Sequence, residues 1–147
     1  MKRRELLTEA IAWMAALLSA GAAGLLLSVY PAGVRKKKLE YFPVLNADDA
    51  PRRGVKNITV PYVAGGRKFE ARAFLVAEGG GLIALSSRCT HLGCSVSWDR
   101  NRNEFICPCH GGRYDISGNR IAGPPPAPLD RMPVRIDSDR ILVGIMV

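Results

Sequence analysis

All four cysteines and both histidines of this 147-residue chain fall between Cys89 and His110. They read Cys89-Thr90-His91, then fifteen residues, then Cys107-Pro108-Cys109-His110, with a further cysteine at Cys94. The pattern is C-x-H-x15-C-x2-H with two spare cysteines. Thiolate and imidazole suit iron–sulfur clusters and zinc alike. Two Cys and two His make a tetrahedral zinc site on one reading, and four cysteines make two disulfides on another. Three things weigh against zinc. A zinc site needs four ligands, and six candidates are present. The C-x-H opening is tighter than the usual zinc spacing, which leaves at least two residues between the first ligands. In an oxidising compartment the two spare cysteines would also tend to pair.

These residues need a scaffold, and the flanking sequence reads as β. Ile58–Val63 and Phe69–Ala77 are short runs rich in β-branched and aromatic residues. Gly79-Gly80-Gly81 is a turn, and Leu82–Ser86 returns as a strand. Pro133–Asp137 and Arg140–Val147 are expected to pair as a hairpin around Asp137-Ser138-Asp139. Between these blocks Arg88–Asp130 is dense in Cys, His, Gly and Pro, the composition of functional loops on a rigid frame.

The start of the chain is different. No charged side chain occurs from Ala10 to Tyr30. As a helix this run rises about 30 Å, enough to cross the hydrocarbon core of a bilayer. The competing reading, a buried core helix, needs a domain large enough to surround it on every side. Lys2, Arg3 and Arg4 precede the run and Arg35, Lys36, Lys37 and Lys38 come after it, so charge alone leaves its orientation ambiguous. Arg3-Arg4-Glu5-Leu6-Leu7 resembles a twin-arginine export signal, which places the head of the protein outside the cytoplasm. No small-residue cleavage site comes after the apolar run, so the signal is expected to stay as an anchor. Pro31-Ala32-Gly33 is expected to end the helix. The expected organisation is a signal anchor and transmembrane helix over 1–30, a tether over 31–50 and a β domain over 51–147.

From Leu39 onward there are 14 Lys+Arg and 11 Asp+Glu, a net +3 out of the formal +8 of the whole chain. The remaining +5 flanks the apolar run. The high pI therefore does not describe a nucleic-acid surface, and no basic stripe interleaved with aromatics occurs in the head.

The boxes CTHLGC (Cys89–Cys94) and CPCHGGRY (Cys107–Tyr114) resemble the two cluster boxes of the Rieske subunits of cytochrome bc and b6f complexes. The resemblance covers the chain from about Ile58 to its end. It implies an all-β head, an antiparallel sandwich with a two-loop cluster-binding subdomain, behind one N-terminal transmembrane helix. It implies one [2Fe–2S] cluster, with Cys89 and Cys107 on the inner iron and His91 and His110 on the outer iron. It implies a Cys94–Cys109 disulfide, which Rieske ferredoxins and oxygenase domains usually lack. Leu92 resembles the apolar residue that shields the cluster edge. Tyr114 resembles the tyrosine whose hydroxyl donates to a cysteine sulfur. Gly123-Pro124-Pro125-Pro126 resembles the proline loop that covers the cluster from a third side.

The implied function is one-electron transfer from a membrane quinol to a c-type cytochrome, beside a cytochrome b-type subunit. His110 takes the quinol proton, and the chain is the redox subunit of a larger enzyme. One residue departs from the pattern. Ubiquinol- and plastoquinol-oxidising members usually carry serine where Gly112 stands, and CHGG with the later PPAPLD resembles menaquinol-oxidising members. A low-potential centre working with menaquinol is therefore expected, on the outer face of the cytoplasmic membrane and in contact with lipid. The competing function is the small Rieske subunit of an exported molybdenum oxidoreductase such as arsenite oxidase. A zinc-stabilised anchored binding module is the non-redox alternative.

Overall fold

The structure, a computed structural model, describes residues 3–29 and 37–147. The chain divides into two units, Met1–Lys36 and Lys37–Val147.

The first unit is the helix α1, Arg3–Val29, of 27 residues. It is long and apolar enough to cross a membrane. Its leucines are exposed on every face, including Leu7, Leu17, Leu18 and Leu27. A helix that is apolar all round has no polar face to give to water. Its hydroxyls are satisfied from within: Thr8 donates to the Glu5 carbonyl, Ser19 to Ala16 and Ser28 to Leu25. This back-bonding is what a polar group needs where no water is available. The expected helix stop at Pro31-Ala32-Gly33 and the first part of the expected tether, 31–36, lie outside the described residues.

The second unit is built from eleven strands. β1 (Leu39–Asn46), β10 (Val134–Asp137) and β11 (Arg140–Met146) form a sheet ordered β1-β11-β10. β2 (Val55–Ala64), β3 (Arg67–Glu78), β4 (Gly81–Ser86) and β9 (Arg131–Met132) form a second, ordered β2-β3-β4-β9. β5 (Ser97–Asp99), β6 (Glu104–Ile106), β7 (Arg113–Tyr114) and β8 (Arg120–Ala122) form a small third sheet. All paired strands are antiparallel.

The expected hairpins are present, with β2 and β3 longer than read from the sequence. The expected tether over 31–50 requires a correction. Leu39–Asn46 is a strand, paired with β11 from Leu39↔Met146 to Asn46↔Arg140. Pro43 removes a donor and the register shifts between Pro43 and Leu45, so the segment lacks clean alternation. Proline is tolerated there because β1 is an edge strand.

The second sheet is the centre of the unit because both of its faces are covered. Side chains alternate across a strand. Ala73 and Leu75 of β3 join Ile58, Val60 and Ala84 against Ile141 and Val143 of β11. Phe74 and Val76 point the other way, with Leu85, onto Val96, Phe105, Tyr114 and Leu129. This second core contains Cys89 and Cys107. Phe105 is fully buried between Phe74 and Trp98, with ring centroids at 4.6 and 4.7 Å. Removing such a ring costs about 3–5 kcal/mol. The loops that carry the histidines are therefore seated on a rigid aromatic floor.

Candidate metal centre

Two six-residue loops leave this floor, and their backbones fold alike. In Cys89–Cys94, the Cys89 N–H donates to the Cys94 carbonyl at 2.8 Å and the Gly93 N–H to the Cys89 carbonyl at 2.9 Å. In Cys107–Gly112, the Cys107 N–H donates to Gly112 at 2.8 Å and Gly111 to Cys107 at 3.1 Å. The fifth residue of each is a glycine at positive φ, Gly93 at 76° and Gly111 at 69°. That backbone costs most residues energy and glycine little. The boxes in the sequence are thus two copies of one loop geometry.

The loops bring together the residues expected to act together. Cys89 and Cys107 are unpaired and buried, 3% and 2% exposed. His91 and His110 converge edge to face, with ring centroids 5.0 Å apart. His110 is exposed and His91 half-buried. Cys94 and Cys109 form a disulfide that ties one loop to the other. The sulfurs of Cys94, Cys107 and Cys109 lie within 4.8 Å of one another, but two of them are oxidised, so this trio is not a thiolate site.

The donor chemistry fits a cluster with two sulfur and two nitrogen ligands. Burial pushes the Cys89 thiol up, but hydrogen bonds outweigh it: the Tyr114 hydroxyl, the backbone of His91 and Leu92, and the Cys107 thiol hold Cys89 below the ordinary thiol value. A lowered value favours the thiolate, the form that ligates metal. Tyr114 is pushed the other way, by burial first and then by its bond with Cys89, so it keeps its proton for donation. Its oxygen lies 3.2 Å from Cys89 Sγ. Tyr114 is fully buried at the centre of the second core, which fixes that oxygen in place.

The proline loop is pinned to both cluster loops. The Thr90 hydroxyl donates to the Ala127 carbonyl at 2.7 Å and contacts the Tyr114 hydroxyl at 3.2 Å. Gly123, at φ 89°, approaches the second loop so closely that a Cβ would lie 2.8 Å from the Gly111 carbonyl oxygen. Within the expected proline loop, Gly123-Pro124-Pro125-Pro126, Pro124 is exposed and Pro125 is the proline buried against Gly112. Leu92 is 71% exposed and lines a cleft with His91. Sequence reasoning did not single out Thr90 or Arg88. The signal for Thr90 was its place between the first two candidate ligands.

The Rieske [2Fe-2S] domain model matches residues 40–133. The cytochrome b6-f complex iron-sulfur subunit of Chlorobaculum thiosulfatiphilum is 37% identical over 114 residues, covering 70% of this chain and 63% of that protein. The protein of the same description from Prochlorococcus marinus (strain MIT 9215) is 46% identical over 80 residues, covering 53% of this chain and 45% of that protein. The chain thus spans about half to two thirds of the length of these relatives. A solved naphthalene 1,2-dioxygenase is similar in fold, with TM-score 0.52 at 16% identity, covering 71% of this chain and 25% of that one.

Proposed function

Because this chain belongs to the Rieske [2Fe-2S] domain family, we propose that it is the one-electron carrier of a membrane-bound quinol:cytochrome c oxidoreductase working with menaquinol. The observation that carries the reading is the pair of free, buried thiols beside two converging imidazoles. Cys89 and Cys107 would hold the inner iron, and His91 and His110 the outer one. When bound, the cluster takes up and returns one electron at a time, at a potential raised by its two neutral imidazole ligands.

The chain's own residues supply the rest. His110 is exposed, so a ring nitrogen can meet a quinol hydroxyl and take its proton. Leu92, exposed next to His91 in the first loop, offers an apolar contact to the quinone ring and displaces water there. The Tyr114 hydroxyl, 3.2 Å from Cys89 Sγ, would donate to the thiolate. The disulfide and Thr90 keep the two loops and the proline loop in register.

Gly112 supports menaquinol in particular. It has no hydroxyl to donate, where a serine would stabilise the more negative, reduced state. One donor fewer lowers the potential toward that of a low-potential quinol. The names of the two relatives support a place beside a cytochrome b-type subunit, with a c-type cytochrome as acceptor. The apolar helix supports a single-pass anchor, and the Arg3-Arg4-Glu5-Leu6-Leu7 start supports the cytoplasmic membrane with the head on the periplasmic side.

The test is a redox titration of the full-length protein in membranes, followed by electron paramagnetic resonance. Rieske centres span roughly −150 to +300 mV. A midpoint in the lower or middle part of that range is expected, and one near the top would overturn the menaquinol assignment.

A further inference from the structure

Arg88 immediately precedes the first candidate ligand, and its side chain folds back over the loop that this ligand opens. Its backbone is held at the base of that loop. Arg88 bridges to Ser95 across the loop ends, and its N–H donates to the Ser86 hydroxyl at 3.2 Å. Its guanidinium then lies against Gly93. A Cβ at Gly93 would be 2.9 Å from Arg88 Nε, 3.3 Å from Nη2 and 3.5 Å from Cζ. The guanidinium therefore lies against the Cys89–Cys94 loop, which carries Cys89 and His91. With Thr90, His91, Leu92, Pro126, Ala127 and Asp130 it lines a cleft of about 590 Å³. No carboxylate lies within ion-pair distance of it among the described residues.

We propose that Arg88 is a tuning residue for the cluster: its charge favours the reduced state and offsets part of what Gly112 forgoes. The inference rests on Cys89 and His91 being cluster ligands. Reduction adds one negative charge. A cation beside the ligand loop interacts more favourably with the reduced form, the more so the closer it lies and the lower the local dielectric. Arg88 is exposed, so water and salt screen it and the effect is moderate. Glycine at 93 is what lets the charge sit so close, since any side chain there would displace the guanidinium.

The experiment is a redox titration of the full-length protein carrying Arg88→Gln, Arg88→Met or Arg88→Lys, with paramagnetic resonance and visible circular dichroism as readouts of cluster content. The neutral variants are expected to retain the cluster signal and to lose about threefold to tenfold in the reduction equilibrium, a fall of about 30–60 mV at one electron. Arg88→Lys is expected to keep more than half of the effect, and the neutral variants to show a weaker dependence of potential on ionic strength. An unchanged potential in the neutral variants would overturn the proposal. So would Arg88→Lys falling as far as Arg88→Gln, which would make Arg88 a packing clamp. Loss of the cluster in both neutral variants would overturn it too, since a tuning charge is not needed for assembly. Absence of a Rieske signal in the unmodified protein would instead defeat the ligand assignment on which the inference rests.

Discussion

Pro125 fills the space beside Gly112. A Cβ at Gly112 would lie 2.6 Å from Pro125 Cγ and 3.1 Å from Cδ, and Pro125 is itself fully buried. Pro125 thus occupies the space that any side chain at position 112 would need.

Gly112→Ser alone is expected to destabilise the folded protein by about 1–3 kcal/mol, the usual cost of overpacking. Combining it with Pro125→Ala should recover most of that loss and raise the reduction potential, because room and donor are then both present. Thermal unfolding and redox titration of the single and double variants check this. If Gly112→Ser alone is as stable as the parent, the steric coupling is wrong.

Tyr114→Phe removes the hydroxyl 3.2 Å from Cys89 Sγ and keeps the ring that fills the second core. The cluster should still assemble. Its potential should fall by about 60 mV, the equivalent of a tenfold change at one electron. The same variant leaves the Thr90 N–H without its tyrosine partner, so a small loss of stability is expected beside the redox shift. An unaltered potential would remove Tyr114 from the tuning residues.

Reduction of Cys94–Cys109 opens a link across a sequence separation of 15. Chain-entropy arguments give about 3 kcal/mol for such a loop. Thermal unfolding with and without a thiol reductant should show that loss. Cluster content after reduction reports whether the loops still hold together.

The pair Glu104–Arg113 joins β6 to β7 under the second loop. Arg113 donates two hydrogen bonds to the Glu104 carboxylate, each at 2.7 Å. These bonds first, and then the Arg113 charge, hold the Glu104 carboxyl below the usual carboxylate range. A carboxyl lowered on folding stabilises the protein above its unfolded value, about 4.3. That stability is lost as pH falls through the lowered folded value. Chemical denaturation from pH 6 to pH 3 should show the loss, and Glu104→Gln should flatten that part of the profile.

Much of the site was legible because ligation demands particular side chains at particular spacings. Cys89, His91, Cys107 and His110 had to be near one another for the boxes to make sense, and the two loops place them so. The long strands β2, β3 and β4 were legible because both faces of the sheet they form are buried, which selects dense apolar and β-branched runs. β5 to β8 have only two or three residues each and show no period that could be read. β1 was hidden by Pro43 and by its edge position, where pairing on one side suffices. Which proline of the Gly123–Pro126 loop packs against Gly112 was beyond sequence, because it depends on which of adjacent rings turns toward that glycine.

Whether Cys89, His91, Cys107 and His110 hold a [2Fe–2S] cluster is decided by electron paramagnetic resonance of the reduced full-length protein, with parallel metal analysis, on the unmodified chain and on His110→Ala. Two irons per chain and a Rieske-type signal are expected in the unmodified protein, with loss of both in His110→Ala. Zinc without a signal in the folded, unmodified protein would contradict the cluster itself, and a normal signal in His110→Ala would contradict the ligand set.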